Sequence, residues 1–205
     1  MIPFETPQDT LNTLLLEPDR GIQRVLDLGC GVGDTLGSLT GPNLCAFGLD
    51  LSIPRLCRAS RNAPEVGFVC GRGESIPFRD NAFDLVFSEV ALPYMNIPAA
   101  VSEIARVIRP GGAIWLKLHR ARFVQREMGT SFRKLHFRDV LYRGYVLANG
   151  LCLHVAGVNV SVGWRCESFQ TERGMQQILS RCGFSKIVAQ QSPTTFVVSA
   201  IKNRT

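Results

Sequence analysis

No stretch of this 205-residue sequence approaches eighteen consecutive apolar residues, which excludes a membrane-crossing helix by length alone. Met1 to Arg20 is too polar to read as a signal peptide, so the expectation is a cytoplasmic protein. Internal repeats and low-complexity tracts are missing as well. Cysteine occurs seven times, but no two form a C-x-x-C pair and the count is odd, so neither a zinc site nor a disulfide framework follows. Most of Cys30, Cys45, Cys57, Cys70, Cys152, Cys166 and Cys182 lie inside apolar runs, where a free thiol reads as a small buried hydrophobe.

What is present suits one folded domain over residues 1–205. Hydrophobic residues make up 45% and charged residues 20%, enough for a real core at this length. The net charge of +6 is concentrated in one place: 120–149 holds seven basic residues against Glu127 and Asp139, and the remainder is near neutral.

Short β-branched runs alternate with segments of helical period, the pattern of a parallel sheet covered by helices on both faces. Strands are expected at 24–28, 44–50, 66–70, 83–88 and 113–119. A short helix follows Gly33 and is ended by Gly41 and Pro42. Another opens after Ser52 and runs to about Asn62. A third carries Val101, Ile104, Ala105 and Ile108 on one face and is stopped by Pro110, Gly111 and Gly112. After a helix closed by Gly183, two last strands separated by Ser192 and Pro193 must pair antiparallel.

About fifty residues, 120–169, interrupt the alternation, and insertions of this size are usually lids, binding elements or dimer contacts. Arginines there alternate with Leu135, Phe137, Val140, Leu141, Tyr145 and Val146, as on a helix with a solvated basic face over a buried stripe. An amphipathic lid over an apolar or anionic acceptor, contact with RNA, contact with anionic lipid, and a homo-oligomer contact stay open beside that reading.

The stretch "RVLDLGCGVG" puts an acid and three alternate glycines directly after the first strand. Glycines there let a ligand approach the backbone closely. Gly29, Gly31 and Gly33 form G-x-G-x-G, but the sixth position of the dinucleotide fingerprint is Asp34, where a pyrophosphate would meet an acid. Asp50 ends the second strand 21 residues after Gly29, where a carboxylate can accept both hydroxyls of a ribose. These residues together suggest an adenosine compound without a phosphate chain.

With "VLDLGCGVG", "GLDLS", "GRGESIPFRDNAFDLVFS" and "IARVIRPGGAIWL" in order, the sequence resembles the class I S-adenosylmethionine-dependent methyltransferases. It looks like the small-molecule type related to the ubiquinone and menaquinone biosynthesis methylases. The resemblance covers about Arg24 to Arg122 and resumes over Thr171 to Lys202. It implies an α/β fold: a Rossmann-like, doubly wound, seven-stranded and mostly parallel sheet with an antiparallel last strand, here with a helical lid-like insertion. It also implies S-adenosyl-L-methionine as cofactor, S-adenosyl-L-homocysteine as product and a small-molecule acceptor. Carried over by position, Gly29, Gly31 and Gly33 lie against the methionine portion, with Asp27 supporting the loop and its ammonium. Asp50 holds the ribose and Leu51 packs on the adenine. Gly73, Glu74 and Ser75 border the adenine edge, and Ser88 ends the fourth strand beside the ammonium. Relatives commonly have Gly-Asp-Ala where this chain has Gly71-Arg72-Gly73. A guanidinium cannot accept from the adenine amino group, so Glu74 is the candidate to replace that acid.

Methyl transfer from a sulfonium needs alignment more than proton transfer. If a group acts on the acceptor, it should stand at the carboxyl ends of the central strands. Glu89 and His119 meet that condition, with Tyr94 just beyond. His136 and His154 are expected to pack, and Asp84, at the start of its strand, to be structural. No Asn-Pro-Pro-Tyr-like motif follows the fourth strand, so DNA is not expected as a partner. The competing classes are an RNA or protein methyltransferase and a cofactor-binding regulatory protein without catalysis, the latter favoured by Arg72.

Overall fold

A computed structural model describes residues 21–39, 44–119, 137–162, 166–191 and 195–204. Among them seven strands form one sheet in the order β3-β2-β1-β4-β5-β7-β6. The strands are β1 (Arg24–Leu28), β2 (Cys45–Asp50), β3 (Gly67–Cys70), β4 (Phe83–Glu89), β5 (Ile108–His119), β6 (Phe184–Gln191) and β7 (Thr195–Lys202). The helices are α1 (Asp34–Ser38), α2 (Ile53–Asn62), α3 (Ile97–Val107), α4 (Phe137–Ala156) and α5 (Glu172–Arg181). Strands β1 to β5 run parallel, and β7 is antiparallel to both β5 and β6. The expected Rossmann-like sheet is therefore present, with the last strand inserted beside β5 rather than added at an edge.

The central strands are buried on both faces, which is why they read as continuous apolar runs. Leu26, Leu28, Val86 and Leu116 pack with Ile97, Val101 and Ile104 of α3, while Val25, Leu85, Phe87 and Trp115 pack on the opposite side with Leu36 and Leu56. Asn96 caps α3 by accepting from the Ala99 N–H, and Thr171 caps α5 by accepting from the Gly174 N–H. His154 packs as expected, its Nδ1 2.7 Å from the Thr171 hydroxyl, so it joins α4 to the start of α5. His136 lies outside the described residues.

Two expectations need correcting. Helix α3 ends at Val107, before Pro110 and the glycines, and β5 begins at once. Phe83 pairs with Ile108 and Leu85 with Ala113, so residues 109–112 form a bulge within the strand rather than a helix stop. Gly111 has φ +78°, and a Cβ on Gly112 would lie 2.6 Å from Ile108 Cγ2 and 2.8 Å from the Asp84 carbonyl oxygen. The cysteines are also less buried than their apolar neighbours suggest. All seven are free, but Cys45, Cys57, Cys70 and Cys152 are exposed, and only Cys30 and Cys166 are fully buried. Cys57 and Cys152 fall on the outer faces of their helices, which runs of composition do not reveal.

Asp84 is structural, as expected. One oxygen accepts from the Gln23 and Arg24 N–H groups at 2.8 and 2.7 Å, and the other meets Arg109. At the other edge of the core, Arg106 donates to the carbonyls of Phe78 and Ile76 and to Asp80 and Glu103. Glu103 also accepts from the Ile76 N–H at 2.8 Å and the Arg106 carbonyl accepts from the Asn81 N–H at 3.0 Å, so α3 holds the chain leading into β4 by side-chain and backbone bonds together. Arg106→Ala is expected to destabilise the fold by about 1.5–3 kcal/mol, the range for hydrogen bonds to charged groups. Urea unfolding checks this, and an unchanged midpoint would remove Arg106 from that role.

Candidate active site

Beyond β1 the chain turns through Gly29, Gly31 and Gly33, with φ +83°, +56° and +79°, a region other residues adopt only under strain. The Gly29 and Cys30 N–H groups both donate to the Leu49 carbonyl, at 2.7 and 3.1 Å. The Asp50 carboxylate completes the attachment: Oδ2 accepts from the Gly31 N–H at 3.0 Å and Oδ1 from the Ser52 N–H at 2.8 Å. Asp50 therefore stands at the end of β2 directly under the glycine turn, as its spacing suggested. Each oxygen retains acceptor capacity for a ligand hydroxyl.

The three glycines differ in what surrounds them. A Cβ on Gly29 would lie 2.1 Å from Ala91 Cβ, and one on Gly33 would meet Phe68 and Ala59 at 3.0 and 3.1 Å. A Cβ on Gly31 would meet nothing within 4 Å among the described residues, so the middle of the turn is open on that side. Leu51 and Ile53 stand just past Asp50 with 61% and 62% of their surface exposed, an apolar step beside a carboxylate.

The neighbouring turn also closes on this crevice. The Gly71 N–H donates to the Asp50 carbonyl at 3.1 Å, and a Cβ on Gly73 would come within 2.5 Å of Met95 Sδ. The Ser75 N–H closes the turn on the Arg72 carbonyl at 3.2 Å. Glu74 accepts from the Asn96 N–H at 3.0 Å, and its other oxygen lies 3.6 Å from Arg72 Nε. Glu74 thus links this turn to the start of α3, and Arg72 turns toward it.

At the end of β4 Ser88 is fully buried and its hydroxyl donates to the Leu28 carbonyl at 2.7 Å, so its side chain ties β4 to β1. Glu89 is held from both sides: Thr35 of α1 donates to Oε1 at 2.9 Å, and Lys117 of β5 lies 3.1 Å from Oε2. Val90 then takes φ +60°, a conformation a β-branched residue rarely adopts, and its N–H donates to the Lys117 carbonyl at 3.0 Å. That kink sends Ala91 over Gly29 and starts the short turn Leu92–Tyr94, where Tyr94 is exposed. His119 occupies the last position of β5, opposite Thr195 of β7. Lys117 and Thr35 escaped the sequence reading, although Lys117 stands two positions before His119 on the same strand, where an outward-pointing charge in an apolar run was a usable signal.

Asp27, Asp50 and Glu89 end three adjacent strands, so three carboxylates converge with Lys117 as their nearby cation. Asp27 is almost fully buried, and among the described residues its Oδ1 has no hydrogen-bond partner. Burial first, then the charges of Glu89 and Asp50, hold its carboxyl well above the ordinary range. Cys30 is pushed up to about 12 by burial and by Asp27 and Asp50, so its thiol stays protonated and is no nucleophile. Carboxylates gathered in this way favour a cationic ligand and oppose a phosphate chain.

Residues 26–116 match a family model described as a methyltransferase domain. Among curated relatives, an uncharacterized methyltransferase of Synechocystis sp. is 39% identical over 114 residues, 54% of this chain and 52% of that protein. The demethylmenaquinone methyltransferase of Renibacterium salmoninarum is 36% identical over 45% of this chain and 39% of its own. The malonyl-[acyl-carrier protein] O-methyltransferase of Marinomonas sp. is 39% identical over 44% and 36%. The chain thus spans about half the length, or less, of these relatives. Among solved structures, an S-adenosylmethionine-dependent methyltransferase from Mesorhizobium loti superimposes with TM-score 0.64 at 17% identity, covering 97% of this chain and 99% of that one. The CurJ carbon methyltransferase gives 0.66 at 16% over 97% and 54%.

Two outcomes follow from the geometry. Because an Asp with a raised folded-state value keeps its proton where the unfolded chain has lost it, stability falls as pH rises from the ordinary carboxylate range through the raised value. Asp27→Asn is therefore expected to be more stable than the parent at neutral pH, with the difference vanishing in acid; urea titrations across pH check this. Gly29→Ala is expected to cost roughly 2–5 kcal/mol, combining left-handed strain with overpacking, whereas Gly31→Ala costs only the strain, about 1–2 kcal/mol. Equal losses would mean that Ala91 does not close on the turn. Residues 26–116 are thus similar to a methyltransferase domain, and the chain has the Rossmann-like fold of the solved S-adenosylmethionine-dependent methyltransferase it superimposes on.

Proposed function

We propose that the protein transfers the methyl group of S-adenosylmethionine to an oxygen, nitrogen or carbon of a small-molecule acceptor. The observation that carries this reading is the convergence of Asp27, Asp50 and Glu89 around the open side of the Gly31 turn, with a buried carboxylate oxygen still lacking a partner. An adenosyl ligand with a cationic tail satisfies all three, whereas a dinucleotide would set its pyrophosphate among acids.

The residues present fit that cofactor. Asp50 accepts from the ribose hydroxyls, Leu51 and Ile53 cover one adenine face, and Gly73, Glu74 and Ser75 border its edge. Asp27 and the backbone at Gly29 and Ser88 face the ammonium end, and the bare Gly31 leaves room for the chain between. When bound, the cofactor supplies an electrophilic methyl on a cationic sulfur. The protein then aligns the acceptor and keeps water out. Holding reactants at near-attack distance can supply about 7–11 kcal/mol, while a general base adds roughly 10²–10⁴ in rate. Glu89, fixed by Thr35 and Lys117, and His119, at the end of β5, are the groups placed to meet the acceptor. The insertion at 120–169 forms the acceptor's side of the site. Its described part reaches the turn after β4: the Ile97 N–H donates to Asn159 Oδ1 at 3.1 Å and the Ser168 N–H to the Pro93 carbonyl at 3.1 Å.

Relatives named for a quinone precursor and for an acyl thioester of a carrier protein support a small-molecule acceptor with apolar or anionic character. Seven free thiols suit the reducing cytoplasm. Among the described residues, no helix is long and apolar enough to cross a membrane.

Thermal unfolding with S-adenosylmethionine and with NAD tests the reading. A ligand at a hundred times its dissociation constant stabilises by about 2.7 kcal/mol, and only the methyl donor should do so. Asp50→Ala should weaken donor binding about 10–100-fold, the loss of one or two hydrogen bonds to a charged group. Glu74→Ala should weaken it more than Arg72→Ala in calorimetric titration; the reverse order would remove Glu74 from the adenine edge.

A further inference from the structure

We propose that the outer face of α4 is a dimer seam, on which the α4 of a second copy of this chain packs antiparallel about a two-fold axis at Ala148. The inner face of α4 is accounted for: Val146, Asn149, Gly150 and Leu153 are buried, and Gly150 lies against Phe169. The outer face is not. Leu141, Gly144, Ala148, Leu151 and Val155 recur at spacings of three and four, the interval that keeps one stripe facing a partner helix. All five are exposed, with Leu141 at 60%, Leu151 at 57% and Val155 at 66%. From Leu141 to Ala156 the fully exposed positions carry no charge, although a solvent-facing helix side is normally polar.

Gly144 points to a helix as the occupant. Inside a helix glycine costs about 1 kcal/mol relative to alanine, and a Cβ at Gly144 would meet nothing within 4 Å. Nothing among the described residues of its own chain calls for a glycine there, whereas a second helix approaching closely would. A lipid surface gains little from Gly144 and Ala148 at the centre of the stripe, since insertion strength scales with apolar area.

The order of sizes then selects the partner and its direction. Run antiparallel about Ala148, the stripe sets Leu151 of one copy over Gly144 of the other and Leu141 against Val155, large against small or medium on either side of an Ala148–Ala148 contact that lets the helices approach. A parallel pairing would put glycine on glycine and leave a gap beside crowded Leu151 pairs, which is costly in a packed seam. Charge agrees. The exposed Arg138 at the start of α4 would face its own copy in a parallel pair, but in the antiparallel one the two lie at opposite ends, about 30 Å apart by helix rise and beyond the screening length. With Val158, Val160 and Val162 exposed beyond the helix, roughly ten residues a side are available, fewer than the ~20–30 of a standard interface, so the affinity should be micromolar.

Sedimentation velocity of the full chain, from low to several hundred micromolar, should show a reversible monomer–dimer equilibrium. Leu151→Glu should leave the unfolding temperature of the monomer unchanged and abolish the dimer. Ala148→Cys in a Cys152→Ser background should form an oxidised dimer on a non-reducing gel, absent from Cys152→Ser alone and lost when Leu151→Glu is added. A monomer at every concentration, a dimer that survives Leu151→Glu, no Ala148→Cys cross-link, or sedimentation of the monomer with neutral lipid vesicles would each overturn the proposal.

Discussion

The site depends on one carboxylate bonded in two directions. Asp50 accepts from Gly31 of the turn after β1 and from Ser52 at the entry to α2, so a single side chain fixes two loops on adjacent strands. Without it the glycine turn would be tied to β2 only through the Leu49 carbonyl, and its middle would lose the bond that holds it open. The bond also explains why an acid rather than an amide suits the position. A charged acceptor holds two N–H donors and still has lone pairs for ligand hydroxyls.

Setting Asp27 and Glu89 beside Asp50 works against the fold. Like charges at the ends of neighbouring strands repel, and Asp27 is buried with one oxygen unpartnered, so its proton is retained rather than the charge tolerated. The same arrangement is what attracts a cationic ligand, and folding stability is given up where binding gains. Lys117 limits the cost by pairing with Glu89, and Thr35 fixes the other oxygen. A strained Val90 directly afterwards is consistent with a functional segment held by its surroundings.

Features written in short-range spacing were legible. The glycines at 29, 31 and 33 form a turn directly after β1, where their pattern put it, and Asp50 stands at the end of β2. The antiparallel pairing of β6 and β7 followed from the shortness of their connection. Features decided by pairing across distance were not. Pro110, Gly111 and Gly112 read as a helix stop, because the same residues serve turns and bulges, and only the partner strand β4 shows that the chain continues as β5. Arg106, Lys117 and Thr35 look like ordinary surface residues until the strands and helices that face them are in place. The exposed thiols misled for the same reason: composition reports an apolar neighbourhood, not which side of the element a residue occupies.

The two halves of the site share a wall. Ala91 rests on Gly29 and Met95 on Gly73, so the segment after β4 packs against both glycine turns of the candidate site. Pro93 and Ile97 of the same segment are bonded to Ser168 and Asn159 of the insertion, and Asn159 in turn receives order from Ser168, whose hydroxyl accepts from its Nδ2 at 3.0 Å. Asn149 of α4 extends this network, accepting from the Val160 N–H at 2.7 Å and donating to the Glu167 carbonyl at 2.9 Å. A displacement of α4 must therefore either break these part-buried hydrogen bonds or carry the segment after β4 with it. The second course shifts Ala91 and Met95 against the glycine turns. An element that looks like an appendage in sequence is thus mechanically joined to the candidate site, and what packs on its outer face bears on the glycine turns through the segment after β4.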